Sequence, residues 1–242
     1  MAIVLTVVGL TYGTYAGFYR TFPVPQVIAV SQTLDRLRGA PPLSVNSDAA
    51  ITARKDEWLS GKADVVMAGD SITAGGRWNE FFPGIEIHNR GIGGDTVSGL
   101  FARAPRIIAK KPERVFILIG INDIFRGSAN ADIIAKYGNV LSALTPHSKV
   151  YVQSVMHCAP PLCDADRNTQ IAGLNKQIDG LSKQHDAVFI DLNAVLSVGQ
   201  KIRPEFTDDG VHLTPAGYRA WRDVLAPHMT APLQKRSVAL KH

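Results

Sequence analysis

The sequence predicts an α/β fold in which a mostly parallel sheet is covered by helices on both faces. Short, continuous apolar runs recur along the chain, and such runs are typical of strands that are buried on both faces. Segments with apolar residues three and four positions apart, which are typical of helices, lie between these runs. This alternation favours parallel strands that are joined by crossover helices.

The predicted strands are short and bounded by glycine or polar residues. The strongest candidate contains five consecutive apolar residues, 115–119, after Arg114. The predicted strands are 64–68, 85–89, 114–119, 150–155 and 187–192.

Three segments have the periodicity of helices with one buried face. The last of them is predicted to begin with Thr214 as the N-cap and Pro215 at the first helical position. The positions predicted to face the core are Val97, Leu100, Phe101, Ala104, Ile107 and Ile108, then Ile171, Leu174, Ile178 and Leu181, and finally Tyr218, Trp221 and Leu225.

Composition indicates one globular domain with additional segments at both ends. The 242 residues are 45% hydrophobic and 19% charged, which excludes a disordered chain. The net charge of +5 comes from scattered Lys and Arg residues, so no nucleic-acid partner is predicted. We divide the chain into an apolar segment 1–20, a proline-containing linker 21–50, a folded domain 51–233 that opens on a short helix near 49–60, and a basic tail 234–242.

The N-terminal segment leaves the location of the protein open. Residues 2–19 contain no charged side chain, and Arg20 follows them. One interpretation is a signal peptide or membrane anchor, which would place the protein outside the cytoplasm. The alternative is a helix that packs on the core of a cytoplasmic protein.

The two cysteines also have two interpretations. Cys158 and Cys163 enclose a proline-rich loop and are close enough to form a disulfide in an oxidising compartment. In a reducing compartment they would be free thiols. His157 beside them has no second ligand pair at zinc spacing, so no metal site is predicted.

Four motifs lie at the ends of the predicted elements. Gly69-Asp70-Ser71 follows the first strand, Gly91–Asp95 follows the second, and Asn122 follows the third. Asp209-Gly210-Val211-His212 precedes the last helix. Because the carboxyl ends of parallel strands meet at one edge of a sheet, we expect these motifs to converge.

Together the motifs supply the groups that serine-based acyl transfer requires. Ser71 is a candidate nucleophile, and His212 is a candidate base with Asp209 three residues before it. Gly94 offers a backbone amide, and Asn122 offers a side-chain amide, for a developing oxyanion. Each motif alone also fits a helix cap, a turn or a surface histidine beside an acid.

Two better-known arrangements are excluded. The Gly-x-Ser-x-Gly elbow of the α/β-hydrolases is absent. The glycine run also fails the Gly-x-Gly-x-x-Gly dinucleotide pattern, because Thr96 occupies its last position. Asp208 is a second acid near His212, and spacing favours Asp209 only modestly.

The four motifs resemble those of the SGNH (GDSL-type) hydrolase family over residues 64–225. The spellings of 89–96 and 212–218 are most similar to the platelet-activating-factor acetylhydrolase-like branch, which favours short acyl groups. The resemblance implies a three-layer α/β/α sandwich with a flavodoxin-like, mostly parallel five-stranded sheet. It also implies an open site that needs no cofactor and no metal.

The resemblance further implies a serine esterase that hydrolyses short, acetyl-type esters through an acyl-serine. Ser71 would be the nucleophile and His212 the base, oriented by Asp209. The Ser71 amide, the Gly94 amide and the Asn122 side chain would form the oxyanion hole. The substrate would be a small-molecule or glycan ester. Carbohydrate O-acetylesterase or acyltransferase, lysophospholipase or thioesterase activity, and a catalytically silent binding domain stay open as alternatives.

Overall fold

A computed structural model describes residues 61–230, which form an α/β fold around a five-stranded parallel sheet. The segments 1–20 and 21–50, the helix near 49–60 and the tail 234–242 lie outside the described residues. The strands are β1 (Val65–Gly69), β2 (Ile87–Gly91), β3 (Arg114–Leu118), β4 (Lys149–Gln153) and β5 (Val188–Ile190), in the order β2-β1-β3-β4-β5.

Helices connect the strands as the alternating pattern predicts. The helices are α1 (Ser71–Ala74), α2 (Trp78–Phe81), α3 (Val97–Ile108), α4 (Ile121–Phe125), α5 (Asn130–Leu144), α6 (Ala165–Gln184), α7 (Asn193–Leu196) and α8 (Pro215–Thr230). A short hairpin of β6 (Ser197–Val198) and β7 (Lys201–Ile202) and a 3₁₀ turn (Pro204–Phe206) precede α8.

The burial of the central strands confirms the predicted fold class. Every residue of β1 and β3 is buried, so both faces of the sheet are covered. The predicted strand 85–89 begins two residues later, at Ile87, and ends at Gly91. This shift brings Gly91 into register with Gly69, so β1 and β2 end at the same level.

Two positions on α3 differ from the prediction. Phe101 was expected to face the core but is 44% exposed. Arg103 is buried instead, three positions after Leu100 and beside Ala104 on the buried face. A guanidinium is tolerated there because backbone carbonyls and a carboxylate surround it, as described below.

The last helix packs on an aromatic cluster. The predicted start of α8 is confirmed, since Pro215 is its first residue and the Thr214 hydroxyl accepts a hydrogen bond from Gly217 N at 3.2 Å. Trp221 meets Trp78 edge to face, with ring centroids 4.7 Å apart. The Trp78 indole N–H donates to the Thr73 carbonyl oxygen at 3.0 Å, so α8 is packed against the segment that carries α1.

The strand order places three loops side by side. β1 lies between β2 and β3, and Gly69 at its end is in register with Gly91 and Leu118. A Cβ atom at Gly69 would lie 2.2 Å from the Leu118 carbonyl oxygen, so only glycine permits this approach.

Within residues 61–230, no helix has both the length and the apolar character needed to cross a bilayer.

Candidate active site

Ser71 lies where β1 turns into α1. Asp70 is the N-cap of this short helix, and its Oδ1 accepts a hydrogen bond from Ile72 N at 3.0 Å. The cap fixes the backbone on both sides of Ser71, whose side chain is half-buried. The serine is therefore held at the carboxyl edge of the sheet, as the sequence predicts.

A hydrogen-bonded chain joins Ser71 to the motif before α8. The Ser71 Oγ lies 2.9 Å from His212 Nε2. On the other side of the ring, His212 Nδ1 lies 2.6 Å from Asp209 Oδ2. The structure thus brings together three side chains that are separated by up to 141 positions in sequence, and Asp209 rather than Asp208 contacts the histidine.

Both oxygens of the Asp209 carboxylate accept hydrogen bonds. Its Oδ1 accepts hydrogen bonds from Val211 N at 2.9 Å and His212 N at 2.7 Å. Burial tends to raise the pKa of Asp209, but the hydrogen bonds from His212 and the two amides outweigh it, so the pKa lies below its usual value. The group is therefore a carboxylate at neutral pH and favours the tautomer with a proton on His212 Nδ1.

The histidine turn has its own supports. Thr207 donates its hydroxyl hydrogen to the His212 carbonyl oxygen at 2.8 Å and accepts from Gly210 N at 2.9 Å. The Asp209 and His212 side chains remain about half exposed, at 51% each. Solvent therefore reaches the histidine, as an open site requires.

The glycine and the asparagine predicted as amide donors lie beside one another. Asn122 Nδ2 donates one hydrogen to the Asp95 carbonyl oxygen at 2.9 Å, next to Gly94. Arg126 donates to the Gly94 carbonyl oxygen at 2.8 Å. Gly94 has φ of +73°, a conformation that favours glycine. An amide nitrogen carries two hydrogens, so Asn122 keeps a second donor.

Arg103 ties these loops together, and sequence analysis did not identify it. Its guanidinium donates to Asp95 Oδ2 at 2.9 Å, to the Arg90 carbonyl oxygen at 2.7 Å and to the Gly69 carbonyl oxygen at 3.0 Å. One side chain thus joins the ends of β1 and β2 to the glycine loop. The available signal was a charged residue on the apolar face of α3.

A buried acid lies directly before the serine. Asp70 is fully buried, and its Oδ2 is among the buried atoms without a hydrogen-bond partner in the part of the chain that the structure describes. Burial is the largest influence and raises the pKa of Asp70 to about 7, although the Ile72 amide and nearby His212 oppose the shift.

The cysteine loop lies against the histidine turn. Cys158 and Cys163 are joined by a disulfide, and both are buried. Ala159 N, inside the loop, donates to the Gly210 carbonyl oxygen at 2.8 Å. No group of three or more His, Cys, Asp or Glu side chains within residues 61–230 is arranged to hold a metal ion.

Fold and site together define a class of protein: an α/β fold whose parallel sheet carries a hydrogen-bonded Ser-His-Asp triad at its carboxyl edge. Residues 67–220 match the GDSL-like lipase/acylhydrolase family, and the chain belongs to this family. The resemblance found in the motifs is thereby confirmed.

Solved structures agree with the fold, and curated proteins match parts of the sequence. A GDSL-like lipase from Bacteroides thetaiotaomicron has a TM-score of 0.68 and 23% identity, over 76% of this chain and 97% of that one. N-acylneuraminate cytidylyltransferase from Streptococcus agalactiae serotype V is 22% identical over 153 residues, which are 63% of this chain. The match spans only 35% of that relative's length. Acetylxylan esterase from Geobacillus stearothermophilus is 52% identical over 44 residues, 18% of this chain and 20% of that protein.

Proposed function

We propose that the protein hydrolyses carboxylic esters of short acyl groups through an acyl-serine at Ser71. The observation that carries this proposal is the pair of hydrogen bonds that links Ser71 Oγ to His212 and His212 to Asp209, with lengths of 2.9 and 2.6 Å. Both lengths fall in the range over which a proton can be transferred between a nucleophile and its base.

Acylation begins when Ser71 Oγ attacks the ester carbonyl carbon and His212 Nε2 takes the hydroxyl proton. The Asp209 carboxylate stabilises the imidazolium and holds the ring in place. Collapse of the tetrahedral intermediate breaks the bond to the alcohol oxygen, which receives the proton from His212. Water then attacks the acyl-serine, with His212 again as the base, and releases the acid and free Ser71.

The oxyanion would be bound by the backbone amides of Ser71 and Gly94 and by the free Asn122 amide hydrogen. The bond from Asn122 to the Asp95 carbonyl oxygen supports this assignment, because it fixes the side chain before substrate arrives. Donors that are already oriented need no reorganisation when charge develops on the oxygen.

Replacement of the nucleophile tests the proposal. We expect Ser71→Ala to lower kcat on p-nitrophenyl acetate by about a million-fold, because loss of the serine from a Ser-His-Asp triad removes the nucleophile for covalent catalysis. The control is Ser98→Ala, an exposed serine in α3, which we expect to keep wild-type activity. A loss of only a few-fold in Ser71→Ala would contradict the assignment.

The acyl group is proposed to be acetyl or of similar size. Local identity of 52% to an acetylxylan esterase supports this choice, and it also favours a second candidate, an O-acetylesterase or acyltransferase that acts on a carbohydrate. A series of nitrophenyl esters from acetyl to octanoyl measures the acyl preference. Acetate release from an acetylated glycan separates the two candidates, whereas a preference for octanoyl would favour lysophospholipid or thioester substrates.

A catalytically silent binding domain is the alternative from another class. A fluorophosphonate probe reacts only with an activated serine, so labelling that disappears in Ser71→Ala supports the esterase. Absence of labelling at neutral pH would favour the binding domain.

We further propose that the protein is located outside the cytoplasm, with residues 2–19 as signal or membrane anchor. The disulfide between Cys158 and Cys163 supports an oxidising compartment. Fusion of residues 1–50 to a reporter that is active only after export tests this, and an inactive fusion would favour the cytoplasm.

A further inference from the structure

We propose that the Cys158–Cys163 disulfide positions the Asp209–His212 pair for the reaction proposed above. The disulfide closes a loop that lies against the backbone between these two residues. This inference rests on the proposed esterase function, in which His212 is the base.

The contact between the two segments is made by backbone atoms. Ala159 N donates to the Gly210 carbonyl oxygen at 2.8 Å. In the other direction, a Cβ atom at Gly210 would lie only 2.7 Å from the Ala159 carbonyl oxygen. Gly210 is buried, although the side chains of Asp209 and His212, which flank Gly210 and Val211, are half exposed. The loop is therefore the surface against which the middle of the turn rests.

The loop is fixed at both of its ends. Asn168 Oδ1 accepts from Cys158 N at 3.0 Å, and Asn168 Nδ2 donates to the Cys158 carbonyl oxygen at 2.9 Å. At the other end, Cys163 N donates to the Ala159 carbonyl oxygen at 3.1 Å. The covalent bond between the two sulfur atoms holds these ends together, so the donor at Ala159 has a defined place.

Cleavage of the disulfide would remove the covalent link between the two ends of the loop, while the first end stays bound to Asn168. The second end would then be held by hydrogen bonds alone, from Cys163 N to the Ala159 carbonyl oxygen and from Arg167 to the Leu162 carbonyl oxygen. The Ala159 carbonyl oxygen accepts from Cys163 N and also lies against Gly210, so movement of the second end would displace the segment on which the turn rests. The hydrogen bonds of Thr207 and of the Asp209 carboxylate would then hold the turn less precisely. A displacement of about 1 Å in a catalytic group can cost on the order of a hundred-fold in rate. We expect disulfide-free enzyme to have a kcat roughly 10- to 100-fold lower than the oxidised enzyme.

The first experiment compares wild type with Cys158→Ala/Cys163→Ala, both well below their unfolding temperatures. Nitrophenyl acetate hydrolysis gives kcat and KM, and urea unfolding gives the stability. The low-field proton resonance of the bond between His212 Nδ1 and Asp209 gives a direct readout of the pair. Lower kcat with a broadened or lost resonance supports the proposal. Unchanged kcat and resonance in a less stable protein would show that the disulfide only stabilises the fold, and would overturn it.

A second measurement uses the folded wild-type chain, in case the double variant does not fold. Dithiothreitol reduces the disulfide to two thiols and is itself oxidised to a cyclic disulfide. Activity and the fluorescence of buried Trp78 and Trp221 are followed together during the titration. Activity that falls before fluorescence changes, and returns on reoxidation, supports the proposal. Simultaneous loss of both signals at every concentration contradicts it. The double variant, where folded, controls for direct effects of the reductant.

The two proposals fail in distinguishable ways. If oxidised wild type is not labelled at Ser71 by a fluorophosphonate, the esterase proposal fails. If it is labelled and the oxidised and disulfide-free forms hydrolyse the ester equally well, only the positioning role fails.

Discussion

The Tyr218 hydroxyl donates a hydrogen bond to the Ile72 carbonyl oxygen at 2.7 Å. Tyr218 belongs to α8, which begins three residues after His212, and Ile72 follows Ser71 in α1. Burial raises the pKa of Tyr218, so the hydroxyl remains a donor at physiological pH. The hydrogen bond from Tyr218 to Ile72 is thus a second link, besides the contact between Ser71 and His212, that fixes the distance between these two residues.

Removal of this link should weaken both stability and activity. We expect Tyr218→Phe to lose about 0.5–1.5 kcal/mol in the free energy of unfolding, the usual contribution of one hydrogen bond. We also expect kcat to fall on the order of tenfold, because α1 is less firmly held relative to the histidine. Urea unfolding and nitrophenyl acetate hydrolysis measure the two effects. Tyr151→Phe in β4 is the control, and equal kcat values in the two variants would contradict this role.

Loss of the proposed amide donor should affect kcat more than KM. We expect Asn122→Ala to lower kcat by about 10²- to 10³-fold, since the donor acts on the charge that develops in the transition state. Asn130→Ala removes a comparable side-chain bond, to the Gln170 carbonyl oxygen at 3.0 Å, on a different helix and serves as the control. An increase in KM alone would assign Asn122 to substrate binding instead.

The Arg103 network should contribute mainly to stability. Arg103→Met removes the guanidinium from a buried carboxylate, Asp95, and breaking such a pair costs about 3–5 kcal/mol. The control is Arg77→Ala, which breaks an exposed pair with Glu80 and should cost at most about 1 kcal/mol. Urea unfolding curves compare the two. A cost for Arg103→Met no larger than that for Arg77→Ala would show that the network is not important for the fold.

The buried Asp70 should make stability depend on pH. Its pKa is raised from 3.8 to about 7 in the folded protein, so the folded state holds a proton that the unfolded state releases. The contribution of protonated Asp70 to the free energy of unfolding is therefore complete below pH 3.8 and is lost as pH rises through about 7. The full loss is on the order of 4 kcal/mol.

Asp70→Asn isolates this effect, because the amide oxygen can still accept from Ile72 N. Relative to wild type, we expect the variant to gain stability as pH rises from 4 to 8. Urea unfolding at pH 4, 6 and 8 provides the measurement. A difference between the two proteins that is constant with pH would mean that Asp70 titrates normally.

The sequence predicted the fold and the positions of the motifs because the two are directly linked. Each of the first three motifs lies at or directly after the end of a strand, and parallel strands place such segments at one edge. The pair of Asp209 and His212 was recognisable because its partners are only three residues apart. Strand ends moved by one or two residues, as at Ile87, because register depends on the neighbouring strand.

Side-chain contacts between distant segments were not predictable from periodicity. The spacing on α3 identified a buried face but gave no reason to place Arg103 on it and Phe101 outside. Arg103 takes the buried position because carbonyl groups of β1 and β2 accept its hydrogen bonds. Likewise, nothing local to Tyr218 or Ala159 indicates that one binds Ile72 and the other Gly210.

The segments around the serine and histidine touch through main-chain atoms. An added methyl group at Gly69, Gly91 or Gly210 would lie 2.2, 2.2 and 2.7 Å, respectively, from a backbone atom of a neighbouring segment. In a library of all single substitutions selected for ester cleavage, these three positions should therefore be depleted as strongly as Ser71. Efforts to redirect the enzyme to new esters would have to draw their diversity from side chains that surround this rigid frame.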